Sequence, residues 1–132
     1  MIFKTVKAYS FLLVCALLIS SCASISPAEV KSVNFGEKPI AHETDIKKLM
    51  SKLLKDPDSA KYTFGEPRKG MVQDGFLRGG TKYYGYIVPT EINAKNSYGG
   101  YTGGKLYYFM LSGGLVWDAS SSMASGNGTF AE

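Results

Sequence analysis

Two segments that mix tyrosine with aliphatic residues constrain the fold of this chain more than any other feature. Residues 83–92 (YYGYIVPTEI) and 105–112 (KLYYFMLS) are rich in aromatic and β-branched side chains, which favour β-strands. Pro89 has no amide hydrogen for a strand ladder, so it predicts a break or a sheet edge in the first segment. Gly113-Gly114 predicts a two-residue hairpin turn, followed by a return strand at residues 115–118 (LVWD).

An amphipathic helix is predicted over residues 44–55. Thr44 is its predicted N-cap, and Asp56-Pro57 ends it because the residue before a proline disfavours the α conformation. Residues 59–64 (SAKYTF) alternate as a further strand. The apolar stripe recurs at i, i+3, i+4, i+7 and i+8, and consists of Ile46, Leu49, Met50, Leu53 and Leu54.

Together these elements predict an α+β domain over residues 42–118, with one amphipathic helix packed on a small antiparallel sheet of three to five strands. Residues 65–82 are interpreted as a loop that holds at most a short strand at Met71-Val72. Residues 119–132 are Ser/Gly-rich and are interpreted as a disordered tail. The sequence leaves open which strand parity is covered; the candidates are Tyr84, Tyr86, Val88, Leu106, Tyr108, Met110 and Trp117.

Residues 1–21 are typical of a lipoprotein signal peptide. Lys4 and Lys7 precede the apolar run at residues 11–19, which is about half the roughly 20 residues that a membrane-spanning helix needs. Residues 19–22 (ISSC) resemble a bacterial lipobox, so we expect cleavage before Cys22 and lipidation of its thiol. The alternative is an ordinary secretory signal with a cysteine at its cleavage site. Residues 22–41 would then be a flexible tether, with a short edge strand or an apolar patch as the alternative.

Localisation and charge follow from this signal. A lipidated Cys22 makes the membrane a partner, and the absence of Asp beside it favours the outer membrane of a diderm bacterium, facing the periplasm. Loss of Lys4 and Lys7 with the signal lowers the formal net charge from +4 to +2. This argues against nucleic acid as a partner, because that function needs a clustered basic face. We also considered a base-stacking platform near Lys82 and Lys105, formed by Tyr83, Tyr107 and Phe109.

The richest chemistry lies in residues 93–104 (NAKNSYGGYTGG), between the two strong strands. Asn and Gly tolerate positive φ, so a tightly shaped loop is expected. Its amides, hydroxyls, lysine and aromatic rings suit recognition of a polar ligand such as a glycan, whereas the alternative is a hairpin loop that only completes the fold. The candidate ligand-binding residues are Asn93, Lys95, Asn96, Ser97, Tyr98, Tyr101 and Thr102.

Two motifs carry a resemblance to a known group of proteins. Residues 56–60 (DPDSA), after the predicted helix, and residues 93–103 (NAKNSYGGYTG) resemble a family of small bacterial and prophage-encoded lipoproteins of unassigned activity. The resemblance spans residues 44–112 and implies a shared fold and export. Members often carry a Cys-Gly pair just before the second motif, where this chain has Pro89-Thr90-Glu91, so no role of that cysteine is implied here.

Enzyme functions find little support in the residues. The single histidine, His42, directly follows the predicted tether, beside Glu43, away from any Ser-His-Asp set. Lys95 could act as a general base only if it were desolvated. The sequence has no pattern of metal ligands, and we expect no cofactor. A glycosidase would need two paired acids, for which the candidates are Glu66, Asp74, Glu91 and Asp118.

These observations predict a lipid-anchored, non-enzymatic binding or accessory module of the cell envelope. The expected partners are the membrane and an envelope protein or glycan. The alternatives are a purely structural accessory lipoprotein, or an envelope hydrolase. The predicted helix also carries a face of three lysines. This face is either simply solvated or contacts an anionic surface, and it consists of Lys48, Lys52 and Lys55.

Overall fold

An antiparallel β-sheet of six strands lies at the centre of the fold. The computed structural model describes residues 24–75 and 80–131, so the predicted signal peptide at residues 1–21 and the predicted lipidation of Cys22 lie outside the described residues. The α+β prediction is confirmed, but the sheet has more than the three to five strands expected. In chain order the elements are α1 (Pro27–Ser32), α2 (His42–Met50), a 3-10 turn (Pro57–Ser59), β1 (Lys61–Phe64), β2 (Arg68–Gln73), β3 (Lys82–Asn93), β4 (Lys105–Ser112), β5 (Leu115–Asp118), α3 (Ser120–Ala124) and β6 (Gly128–Phe130).

The long strand β3 organises the sheet. The strand order is β5-β4-β3-β2-β6, and β1 pairs with β3 on the same side as β2. Pro89 separates these two partners, because β1 ends opposite Thr90 and β2 begins opposite Ile87. The Pro89 carbonyl accepts a hydrogen bond from the Gly65 N–H at 2.7 Å, so the proline nitrogen faces the gap between β1 and β2, where no ladder donor is needed. β3 itself runs through Pro89 without interruption, so the predicted break is wrong, and the alternative, a local sheet edge, applies on the side of β1 and β2.

The register divides the strand side chains between two covered faces. Val88, Ile92 and Phe109 pack against α2, on what we call the helix face. Ile87 and Met110 pack with Val72 and with Met123 of α3 on the opposite face. Successive strand side chains point to opposite faces of the sheet, and both faces are covered. The residues predicted as candidates for one covered face are therefore divided between two. Tyr84 and Tyr86 share the helix face with Val88, whereas Leu106, Tyr108 and Trp117 share the opposite face with Met110.

Helix α2 is shorter than predicted. It begins at His42 with Ala41 as its N-cap, so Thr44 lies inside the first turn, and it ends at Met50. Of the predicted stripe, Ile46 and Met50 are buried, whereas Leu53 is 60% exposed. After Met50 the chain continues as turns at residues 51–53 and then enters the 3-10 turn. There the Asp56 side chain accepts a hydrogen bond from the Ser59 N–H.

The interpretation of residues 65–82 as a loop is wrong for β2, which spans six residues and buries Met71 and Val72. Charged residues at its start hide the strand signal. Gly70 lies opposite Gly85 of β3, and a Cβ added to Gly70 would lie 2.5 Å from a methyl carbon of Ile87. This glycine therefore meets a packing requirement and does not mark a turn.

The predicted disordered tail is wrong within the described residues. Residues after Ala119 form α3, and β6 then pairs with β2. Ala119 is 1% exposed, and its N–H donates to the Tyr108 carbonyl at 2.7 Å. The Ser/Gly composition gave no sign of this order because strand pairing uses backbone groups.

The predicted tether is wrong from Pro27 onward. Helix α1 is capped by Ser26, whose hydroxyl accepts from the Glu29 N–H at 3.2 Å. Phe35 is buried, with its ring edge-on to Tyr84 and the centroids 6.0 Å apart. A buried aromatic residue thus helps to fix a segment that has no apolar period to detect, together with the polar contacts of Glu29 and Lys38.

Candidate functional site

The loop at residues 93–104 is held in one shape by its own hydrogen bonds. Asn96 Oδ1 accepts from the N–H groups of Tyr98 and Gly100, at 2.9 and 3.1 Å. The Asn96 N–H donates to the Gly100 carbonyl at 2.8 Å. Gly99 has a φ of 80°, a conformation that a residue with a side chain adopts only with strain. The loop is therefore a compact turn in which the Asn96 side chain has a structural role.

Ser59 joins this loop to residues 56–60, so the two motifs of the resemblance meet in space. The Lys95 N–H donates to Ser59 Oγ at 3.1 Å, and the Tyr101 hydroxyl donates to the Ser59 carbonyl at 3.2 Å. Ser59 is fixed in turn by Asp56, whose carbonyl accepts from the Ser59 hydroxyl at 2.8 Å. The DPDSA segment therefore supports the loop from one side.

Four of the seven predicted binding residues either make hydrogen bonds that shape the loop or carry a buried polar atom within it. Asn96 and Tyr101 are engaged as described, and the Thr102 hydroxyl donates to the Ala94 carbonyl at 3.4 Å. Asn93 Oδ1 is buried, and no described group hydrogen-bonds to it. Of these four, Asn96 and Thr102 also line the cleft described next, whereas Asn93 and Tyr101 do not.

The other three predicted residues are better placed to meet a ligand. Tyr98 stands at the tip of the turn and is 95% exposed. Lys95 and Ser97 line a cleft of about 320 Å³ between the loop and the chain that follows α2. This volume lies at the lower end of the range for small-ligand sites.

The cleft combines an apolar lining with three ammonium groups. Leu53 is 60% exposed and Leu54 is half-buried, so both present aliphatic surface to the cleft, whereas Ile92 at its base is almost fully buried. Lys55, Lys95 and Lys105 also line it. Sequence reasoning singled out Lys55 only as part of a helix face and missed Lys105 as a site residue. The one available signal was that Lys55 directly precedes the first motif and Lys105 directly follows the loop.

The ammonium groups of these three lysines contact neutral groups. Lys55 Nζ donates to Ser97 Oγ at 3.0 Å. Lys95 Nζ lies 5.6 Å from the centroid of the Tyr101 ring, and Lys105 Nζ lies 4.9 Å from that of Tyr107. Within the described part of the chain, the salt bridges join Lys38 to Glu66 and Lys82 to Glu29, so neither involves the cleft. The positive charge of the cleft is therefore left without an acidic partner from these residues.

The four acids considered as a glycosidase pair are engaged at separate places. Glu66 pairs with Lys38 at 3.0 Å, and Asp74 accepts from the Tyr83 hydroxyl at 3.2 Å. Asp118 accepts from the Ser120 N–H at 2.9 Å. Glu91 alternates with Ile92 along β3, so it points to the opposite face from the cleft.

His42 is the first residue of α2, and its Nδ1 lies 3.0 Å from the Pro39 carbonyl oxygen.

Over residues 24–75 and 80–131, no group of three or more His, Cys, Asp or Glu side chains is arranged to hold a metal ion. The base-stacking platform considered as an alternative is not formed, because Phe109 is fully buried and Tyr83 lies on the other face from Tyr107. No helix formed by these residues combines the length and hydropathy needed to span a membrane.

A second charged cluster lies at the start of β3, where α1 contacts the sheet. Glu29 Oε1 accepts from Lys82 Nζ at 2.9 Å and from the Tyr84 hydroxyl. The Tyr84 and Lys82 hydrogen bonds lower the pKa of Glu29, and the same contacts raise the pKa values of Lys82 and Tyr84. This cluster neutralises its own charge, in contrast to the lysine cleft.

Comparison with protein-family models, curated proteins and solved structures gave no match to this chain.

Proposed function

We propose that the protein is a lipid-anchored, non-enzymatic lipoprotein of the bacterial outer membrane, in which residues 93–104 and the adjoining cleft bind an envelope ligand. The loop and the cleft together carry this proposal. A turn fixed by internal hydrogen bonds holds the exposed Tyr98 ring beside a cleft with three lysines that have no acidic partner among the described residues. Such preorganisation lowers the entropy cost of binding.

Anchoring rests on the ISSC lipobox at residues 19–22 and on the resemblance to bacterial lipoproteins. Export of the wild-type protein from a diderm host should yield a chain cut before Cys22 that carries added acyl mass and follows the membranes. Cys22→Ser should lack the acyl mass and the membrane association. Intact-mass spectrometry with fractionation checks this, and equal behaviour of the two proteins would contradict the anchor.

The binding role is tested separately with Tyr98→Ala. We expect less of this variant than of the wild type to sediment with cell envelopes after detergent has dissolved the membranes. Its free energy of unfolding should change by no more than about 0.5 kcal/mol, because the side chain is exposed. Undiminished sedimentation of Tyr98→Ala would contradict the proposed binding loop.

The second candidate function is a structural accessory lipoprotein whose loop only completes the fold. The contacts of Asn96 and Tyr101 within the domain favour it. Asn96→Ala should cost about 1 kcal/mol on either proposal, since two backbone donors lose their acceptor. The proposals therefore separate on Tyr98→Ala, which a structural role leaves without effect on sedimentation.

A further inference from the structure

The lysine cleft has the chemistry of a site for an organic anion. Its three ammonium groups come from separate segments: Lys55 after α2, Lys95 in the loop and Lys105 at the start of β4. Like charges brought together by a fold repel one another unless an opposite charge joins them. None of the described acids forms a salt bridge to these lysines. These solvent-accessible charges are therefore open to an anion from outside the domain.

The apolar lining narrows the class of anion. Leu53, which is 60% exposed, and the half-buried Leu54 offer aliphatic surface beside the lysines. A bare inorganic anion would leave this surface in water, whereas a carboxylate attached to an aliphatic group would cover it. A volume of about 320 Å³ suits a fragment of this kind rather than a large ligand.

The path of the chain favours a ligand that is not the anchoring bilayer. Glu29 is fixed to Lys82 and Tyr84 at the start of β3, and the seven residue steps from Cys22 to Glu29 span at most about 25 Å. The cleft lies at the other end of β3, about 36 Å along the strand from Lys82. A lipid on Cys22 would therefore keep the Lys82 end of the domain within about 25 Å of the membrane, whereas the cleft lies at the far end of β3.

From these observations we propose that the cleft binds the terminal carboxylate of a short peptide with aliphatic side chains, as found on the stem peptides of the cell wall. The ammonium groups of Lys55, Lys95 and Lys105 attract the carboxylate, and Leu53 and Leu54 contact the aliphatic part. This proposal rests on the proposed binding function and names its ligand class. It places the protein between the membrane and the wall.

The test is an NMR titration of the purified mature protein in a neutral detergent. The probes are acetyl-alanyl-alanine as free acid, the same peptide as its C-terminal amide, acetyl-glycyl-glycine, and glycerol phosphate as the headgroup of an anionic lipid. The free acid should shift the backbone amide signals of Leu54, Lys95 and Lys105. The amide and acetyl-glycyl-glycine should bind more weakly, and salt should weaken binding of the free acid.

Charge removal supplies the matched variants. Exchange of Lys55, Lys95 and Lys105 together for Gln should weaken binding of the free acid about tenfold or more, since each exposed ion pair contributes up to about fivefold. Lys55→Gln alone should give a smaller loss in the same direction and guards against misfolding of the triple variant. Lys31→Gln, an exposed lysine of α1, is the control and should leave binding unchanged.

Three outcomes would overturn the proposal. The first is equal binding of the acid and the amide, which removes the role of the carboxylate. The second is tighter binding of glycerol phosphate than of the peptide acid, which transfers the site to lipid headgroups. The third is an unchanged affinity in the triple variant. If the peptide fails while Tyr98→Ala still lowers sedimentation with envelopes, the ligand class is wrong and the binding function stands.

Discussion

The two ends of β3 are fixed by different kinds of contact. At the Lys82 end, the Phe35 ring packs on Tyr84, and Glu29 neutralises Lys82. At the Asn93 end, the loop is fixed by hydrogen bonds that Asn96 and Ser59 make to backbone groups, and the lysines keep their charge. The first end satisfies its own apolar and charged groups, whereas the second satisfies only its backbone. This difference is the reason to look for a ligand at the Asn93 end.

The largest effect should come from comparing a glycine near each end. A Cβ added at Gly85 would lie 2.2 Å from the backbone carbonyl oxygen of Leu111, so β3 and β4 would have to move apart. A Cβ added at Gly104 meets only the exposed side chain of Glu91, which can rotate away. We expect Gly85→Ala to cost about 3 kcal/mol of unfolding free energy, at the top of the usual range for overpacking. Gly104→Ala should cost no more than about 0.5 kcal/mol.

Urea unfolding of the two variants and the wild type provides this measurement. A loss at Gly104→Ala equal to that at Gly85→Ala would show that the Asn93 end is packed as rigidly as the strand interior. The loop could then not be treated as a unit separate from the core.

Removal of the Phe35 ring should have the next largest effect. Phe35 is 7% exposed, so Phe35→Ala should lower the unfolding free energy by about 2 kcal/mol, the usual contribution of a buried apolar side chain. Ile40→Ala is the matched control in the same segment, since Ile40 is 99% exposed and should contribute almost nothing. Thermal unfolding followed by circular dichroism distinguishes them. Equal stability of the two variants would mean that the segment before α2 is a tether after all.

Local pattern predicted the parts of the fold that depend on local chemistry. The composition of residues 83–92 and 105–112 predicted β3 and β4, and Gly113-Gly114 predicted the hairpin that joins β4 to β5, in which both glycines have positive φ (58° and 78°). Elements stabilised by distant partners could not be predicted. Strand β6 depends on the free edge of β2, and Phe35 is buried only because Tyr84 meets it.

The candidate site shows the same division. The Asn/Gly composition of residues 93–104 predicted a shaped loop, because those residue types tolerate the required backbone angles. It could not show that Asn96 holds the turn together, since a side-chain amide can equally face a ligand. The meeting of Lys55, Lys95 and Lys105 depends on the register of β3 with β4 and on the early end of α2, neither of which the sequence specifies.

The smallest expected effect concerns the charges at the Lys82 end. Folding lowers the pKa of Glu29, so its contribution to stability is present above the ordinary glutamate pKa and is lost as the pH falls through the lowered value. The pKa values of Lys82 and Tyr84 are raised, so their contributions are present below their ordinary values and are lost as the pH rises through the raised ones. Glu29→Gln should therefore reduce the melting temperature most near neutral pH, with the difference from wild type shrinking toward acid and toward strong alkali.

Glu66→Gln is the control, because the ion pair of Glu66 with Lys38 is far more exposed and should contribute little at any pH. If the difference in melting temperature between Glu29→Gln and the wild type did not change with pH, packing rather than charge would hold helix α1 to the sheet. The contrast between a neutralised and an unneutralised end of β3 would then lose its electrostatic basis.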